Sequence, residues 1–374
     1  LFLPPDDKGD EVLHFISDSR RIKLKGHSFR EFQRDLLPLL NGALTLAEIQ
    51  EEVADLFAPK DVEACLLLLI ENNLLEDAGT SVLSPEEQKR LAPQLNFLHE
   101  ATGEAQETQQ KMKEKTVAIL GLGGPGATAA ISLASAGIGA IIGIDNEKTT
   151  PADPYLSSVF APGDEGTGRT EVVRNKLAEL SPATTYIAYD GPLNTDEDIQ
   201  KALGQADFII CALDAGQSSI VYKLNRVCLA GKKDWLVCQA AGVEVSVGPL
   251  IVPEETACFL CLKMRVVACA EIPEDEFAFQ RYFDRHKQDD SATRENLVFG
   301  TNLAGQLAAL ETIKYFTDSL ERTTLGRVAV VDLLDLTITK HMVLRKPWCP
   351  ACQVQIETST GGIDERTAAA VADR

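Results

Sequence analysis

Three glycines, Gly121, Gly123 and Gly126, follow the apolar run VAIL (117–120) at the spacing G-x-G-x-x-G. A strand that runs into such a turn brings backbone N–H groups at a helix N-terminus close to a phosphate, because no Cβ stands between them. The next apolar run, IIGID, ends in Asp145. An acidic side chain at the end of a second strand typically accepts hydrogen bonds from ribose hydroxyls. These residues fit the phosphate of NAD, of FAD or of ATP. The alternative is an inherited turn that binds nothing.

A second constellation is built from sulfur. Cys258-Phe-Leu-Cys261 and Cys349-Pro-Ala-Cys352 are two C-x-x-C pairs far apart in the chain. Four thiolates suit tetrahedral zinc, and a set with all four positions filled by Cys points to a structural rather than a catalytic ion. A redox C-x-x-C is the rival reading; two separated pairs making a complete ligand set favour zinc. Such a site pins the last segment to the middle of the chain. The chain has nine Cys. The other five, among them Cys211 and Cys238 in strand-like runs, read as core or incidental. This usage fits a reducing cytoplasm better than a disulfide scaffold.

These groups need a scaffold to position them. From Thr116 onward, TVAILG, AIIGID, DFIICALD and WLVCQAA are short apolar runs separated by helical stretches such as RTEVVRNKLAEL (169–180). That alternation predicts an α/β domain over 116–352 with a mostly parallel sheet covered on both faces. GRVAVVDLLDLTITKHMVLR (326–345) reads as an antiparallel pair, and NLAGQLAALETIKYF (302–316) as a packed helix that could alternatively line a substrate channel.

Ahead of this domain, residues 1–78 read as a unit of their own. A strand pair over 11–26 precedes three helical segments: 29–40; 45–57, with Thr45 and Glu48 as a capping box; and 59–75, opened by Pro59. The pattern is winged-helix-like. Residues 79–115 are polar and read as a linker with a surface helix; 353–374 read as a polar tail.

Charge narrows the partners. The formal charge of −20 repels nucleic-acid phosphates, which counts against a DNA-binding wing. No apolar run is long enough to span a bilayer, so no membrane partner is expected. The N-terminal LFLPPDDKGDE is acidic and lacks a signal-peptide pattern. The expected location is the cytoplasm.

Glycine turn, acidic strand end and paired C-x-x-C, in this order, resemble the E1-like superfamily, which includes ThiF, MoeB, HesA and the activating enzymes of ubiquitin-like proteins. The resemblance covers about 116–352 and includes GPLIVPEETACFLC (248–261). It implies a Rossmann-like domain whose turn takes ATP, not NAD, for adenylation of a carboxylate, and a four-cysteine zinc site. Carried over residue by residue, it implies that Gly121, Gly123, Gly124 and Gly126 hold phosphate and that Asp145 takes the ribose. Asp153 stands at the family's Asn. Arg169 stands at its Lys, as the cation that neutralises triphosphate. Asp214, at the end of the run CALD, holds Mg2+; its plain alternative is a helix N-cap. Leu156 stands where the family has Arg, and the upstream Arg-Tyr-x-Arg is replaced by QKRLAPQLNFLHE (88–100), with Arg90 and His99 as substitutes.

A winged-helix-like module ahead of an E1-like domain resembles enzymes of ribosomal peptide natural-product (RiPP) biosynthesis. In these the small domain, related to PqqD, is a precursor-recognition element that captures the leader peptide as an added strand. The chain is similar to the microcin C adenylating enzyme, the E1-like enzyme of pantocin A and the Ocin-ThiF-like partners of YcaO cyclodehydratases. This implies leader binding by residues 11–78, with Arg20, Arg21, Lys23 and Lys25 suited to an acidic leader or simply solvated. The expected function is ATP-dependent activation of a precursor carboxylate or amide oxygen, by adenylation or phosphorylation, for dehydration or cyclisation, in a homodimer. The alternative is a non-catalytic leader-binding partner of a separate YcaO protein. An NAD oxidoreductase fits neither the cysteine set nor the N-terminal module.

Overall fold

The computed structural model of the chain describes residues 2–3, 11–16, 20–76, 83–213, 216–286, 295–317 and 320–353. It divides into two compact units, Leu1–Gln110 and Lys111–Arg374.

In the first unit β1 (Phe2–Leu3), β2 (Glu11–Ile16) and β3 (Arg21–Gly26) form an antiparallel sheet in that order. Side chains alternate across β3: Ile22 and Leu24 are half-buried, while Arg21, Lys23 and Lys25 are exposed. Leu13 of β2 faces inward with Phe32, Leu36, Ile49, Val53, Val62 and Leu69, which together make the core of this unit. Arg20 donates to the carbonyl of Asn72, the C-cap of helix Pro59–Glu71, at 2.8 Å.

The expected helices are present, with changes. Over 29–40 the chain makes a short α-turn, Phe29–Glu31, then a π-helical turn, Phe32–Leu36, then a 3-10 turn, Leu37–Leu39. Pro38 has no N–H to donate, so a regular ladder cannot run through it. Thr45 caps Leu46–Glu52 as expected: Glu48 N–H donates to Thr45 Oγ1 at 3.4 Å, and Thr45 N–H to Glu48 Oε2 at 2.7 Å. The third helix spans Pro59–Glu71. The stretch read as a linker is mostly helical. Pro85–Thr102, opened by a Ser84–Glu87 capping box, and Ala105–Lys113 occupy it. The two units divide between Gln110 and Lys111, not at the ends of that stretch.

The second unit is an α/β domain on one eight-stranded sheet, comprising β4 (Thr116–Leu120), β5 (Ala140–Ile144), β6 (Thr185–Tyr189), β7 (Phe208–Cys211), β8 (Trp235–Ala241), β9 (Glu244–Ile251), β10 (Arg327–Asp332) and β11 (Ile338–Met342). Their order is β11-β10-β9-β8-β7-β4-β5-β6. The five strands β8-β7-β4-β5-β6 run parallel; β9, β10 and β11 add antiparallel. Every residue of β7 is buried, as a strand covered on both faces requires.

Chain direction across the sheet reverses at β4, which pairs β5 on one side and β7 on the other. The register sets Leu120 level with both Ile144 and Cys211. The turns after β4, β5 and β7 therefore open at one edge, at the switch point where sheets of this type bind ligands.

Helix Val298–Phe316 packs on helix Gly124–Ser135, the helix that follows the glycine turn. A Cβ at Gly305 would lie 2.8 Å from Thr128 Cβ and strike the Pro125 carbonyl. Ala304 and Ala308 are fully buried. This face of the helix packs, as the sequence reading expects.

Candidate functional site

The turn after β4 owes its shape to glycine. Gly121 has φ +89°, and a Cβ there would stand 2.6 Å from the Ala212 carbonyl oxygen. At Gly124 a Cβ would lie 2.7 Å from Thr301 Cβ and 2.8 Å from the Leu156 carbonyl oxygen. At Gly126 it would run into the Gly121 carbonyl. The glycines thus bring the helix against the strand end. Gly123 is the N-cap of Gly124–Ser135 and offers no side chain to the first-turn N–H groups. Those donors and the helix dipole are what an anion at this end would meet.

Asp145 follows β5 directly and braces the turn. Its Oδ2 accepts from Leu122 N–H at 2.7 Å and its Oδ1 from Glu147 N–H at 2.8 Å. Burial raises its carboxyl above the ordinary value, against Arg169 and the two N–H groups, which lower it. Arg169 opens helix Arg169–Leu180, and its N–H donates to the Glu147 carbonyl at 3.1 Å. That bond sets the guanidinium beside the strand-end loop. Nη2 lies 2.9 Å from Asp153 Oδ1; Nη1 lies 3.0 Å from Glu147 Oε2 and 3.6 Å from Asp145 Oδ2. Asp153 is fully buried, and its Oδ2 accepts from the N–H and the hydroxyl of Thr150 at 2.6 and 2.7 Å. Gln217, in the loop after β7, donates to Glu147 Oε1 at 3.1 Å.

The structure therefore brings the glycine turn, Asp145, Asp153 and Arg169 together at one sheet edge. Asp214 lies outside the described residues. Leu156 is half-buried, and its carbonyl accepts from the Thr301 hydroxyl. Glu147 and Gln217 were not singled out in the sequence. The second acid in IDNE (144–147) was a signal for the first; nothing local marks the second. A buried polar set beside the turn was missed as well. Thr128 Oγ1 donates to Asn302 Oδ1 at 2.9 Å and sits 3.3 Å from Ser157 Oγ, which ties the helix of the turn to two other segments.

The four cysteines converge. Cys258 is the N-cap of helix Phe259–Cys269, and Cys349 and Cys352 follow β11. Their sulfurs all lie within 4.8 Å of one another. Adjacent pairs are 3.6 Å (Cys258–Cys349), 3.6 Å (Cys261–Cys352) and 4.0 Å (Cys258–Cys261) apart. Tetrahedral zinc with bonds of about 2.3 Å puts its sulfurs about 3.8 Å apart, so the donor set fits such an ion. Lys346 N–H donates to Cys261 Sγ at 3.3 Å. Burial raises the Cys258 thiol and pushes Cys352 up to about 11. Burial acts on Cys349 too, but the backbone N–H groups of Cys352 and Ala351 and the thiols of Cys261 and Cys258 outweigh it and lower that thiol.

The ThiF family model matches residues 91–352, more than half of the chain. The sulfur carrier protein ThiS adenylyltransferase of Escherichia coli (strain K12) is 28% identical over 154 residues, 41% of this chain but only 60% of that protein's length. Protein HesA, vegetative, of Trichormus variabilis is 28% identical over 256 residues, 67% of this chain and 85% of that one. Among solved structures, E. coli MccB with ATP has a TM-score of 0.66 at 20% identity, covering 91% of this chain and 98% of that one. MccB with MccA gives 0.67 at 21%, covering 91% and 97%.

Proposed function

The chain belongs to the ThiF family, and from that membership we propose that it is an ATP-dependent E1-like enzyme that activates an oxygen of a ribosomally made precursor peptide. The observation that carries the proposal is the level alignment of three strand ends, which sets the glycine turn beside Asp145 and Arg169. The turn's N–H groups and helix dipole would hold phosphate. Asp145 would accept from the ribose and Arg169 would neutralise the triphosphate. Asp214 would ligate Mg2+, a hard cation that prefers carboxylate oxygen. That MccB is solved with ATP and with MccA supports both the nucleotide and the peptide.

In the proposed chemistry a peptide carboxylate or amide oxygen attacks phosphorus. Attack at the α-phosphorus releases pyrophosphate; attack at the γ-phosphorus releases ADP. An internal nucleophile then displaces the activated oxygen as AMP or phosphate, and the peptide has lost one water. The leader would add as a strand to β3, one of the two outer strands of the small sheet, whose exposed Arg21, Lys23 and Lys25 suit acidic side chains. The four cysteines would hold structural zinc. A homodimer follows from the family resemblance.

A second reading, a non-catalytic leader-binding partner of a YcaO protein, is favoured by one observation. The cationic Arg is replaced by Leu156, and the remaining cation, Arg169, is paired with carboxylates. Both readings are tested with purified protein, ATP, Mg2+ and the precursor peptide encoded nearest its gene. AMP or ADP accumulating in step with a peptide mass loss of one water supports the enzyme. Tight peptide binding without nucleotide turnover overturns it in favour of the partner role.

A further inference from the structure

Arg169 is the cation expected to meet phosphate, yet three carboxylates crowd it. They differ in how firmly they are held. The Asp153 side chain is 1% exposed and its outer oxygen is fixed by Thr150. The Asp145 side chain is 5% exposed, with one backbone N–H on each oxygen. The Glu147 side chain is 24% exposed, sits 3.0 Å from Arg169 Nη1 and is steadied on its other oxygen by the Gln217 side chain. It is the member of the set that can turn towards water.

Nη1 also lies near the carboxylate that braces the glycine turn. The Asp145 oxygen that lies 3.6 Å from Nη1 is the one that accepts from Leu122 within the turn. Nη1 is also the nitrogen that Glu147 holds, so a phosphate that pairs with it competes with Glu147. Three carboxylates stand around one guanidinium, and a polyphosphate that shares it with them is repelled by each one that is ionised.

We propose that Glu147 is an internal stand-in for the nucleotide phosphate: it holds Arg169 in the ligand-free chain and must be displaced by phosphate, so that it sets the affinity of this site for phosphorylated nucleotides. The inference rests on the nucleotide reading above. It makes Glu147 a positioning residue, with Gln217 as its tether. Asp153 stays paired with Nη2, so the exchange at Nη1 leaves the buried guanidinium held in place.

The test is calorimetric titration of the full chain with Mg-ATP and, separately, with adenosine, for wild type and Glu147→Gln. The amide keeps the shape of the side chain and its contact with Gln217 but gives up the charge that competes with phosphate. A charge-assisted contact of this kind corresponds to about tenfold in affinity. Expected is ATP bound about tenfold tighter by Glu147→Gln, with adenosine binding unchanged, since adenosine brings no phosphate to Arg169. A Gln217→Ala variant, which loosens the tether, should gain in the same direction by less. If wild type binds ATP and Glu147→Gln binds it no tighter, or adenosine gains equally, the inference is overturned and the nucleotide reading stands. If neither protein binds ATP or adenosine, the nucleotide reading falls and this inference falls with it.

Discussion

At Asp145 two backbone N–H groups and a guanidinium converge on a carboxyl that burial would rather keep neutral. The balance has a sign. The folded chain holds this proton more tightly than the unfolded chain, because the carboxyl is raised above its ordinary 3.8. Stability from this group is therefore present at low pH and lost as pH rises through the raised value. Asp145→Asn removes that titration and also presents an amide N–H2 to one of the two backbone donors. The variant should be less stable by about 1–3 kcal/mol, and its deficit should shrink as pH rises from acid towards neutral. Urea unfolding across that range measures both; a deficit that grows with pH would contradict this account of the site. The placement of Asp145 and the glycines was legible because it follows from position along one strand–turn–helix. Glu147 and Gln217 were not, since they meet only where two loops 70 residues apart close on each other.

At the scale of elements, the glycine turn makes a sharper demand than a phosphate does. The Cβ of Gly126→Ala would meet the Gly121 carbonyl, which is backbone and cannot swing away. That variant should lose more than about 3 kcal/mol or fail to fold. Gly163→Ala, where a Cβ would meet nothing within 4 Å, should unfold within about 0.5 kcal/mol of wild type. Thermal unfolding of the pair separates a general intolerance of Ala from the close approach seen at Gly126. The apolar runs showed β4, β5, β7 and β8 in the sequence, since burial on both faces writes a continuous apolar run, and Thr45 and Pro59 showed the starts of two helices. Two strands of the large sheet did not show. β6 reads TYIAY at the sheet edge, and β9 carries Gly248-Pro249, which in a sequence looks like a break. In the fold Leu250 beyond that proline donates to the Thr324 carbonyl at 2.9 Å, and the strand continues.

Across the whole molecule, the cysteine cluster joins segments 91 residues apart, the start of helix Phe259–Cys269 and the stretch after β11. Most of this was legible: two C-x-x-C pairs announce a four-ligand set without saying which elements carry them. Metal analysis should find about one zinc per chain, since the four sulfurs make one complete tetrahedral set. Chelation or Cys349→Ser should lower the melting temperature by several degrees without changing the sheet's circular dichroism. A metal-free protein with an unchanged melting point would show that the cluster is only packing. The helices over Pro85–Thr102 and Ala105–Lys113 were not legible one by one, because polar residues on a helix and in a linker look alike when each faces water.

The central claim is that a peptide oxygen attacks a nucleotide phosphorus in this site, and the most direct measurement follows that oxygen. The precursor peptide would be prepared with heavy oxygen in its reacting carboxylate or amide, incubated with the protein and Mg-ATP, and the nucleotide products weighed by mass spectrometry. The account predicts the label in AMP if the α-phosphorus is attacked, or in inorganic phosphate if it is the γ-phosphorus. Peptide that binds and keeps all its label, with ATP unconsumed, would contradict the account and leave the chain as a carrier of peptide to another enzyme.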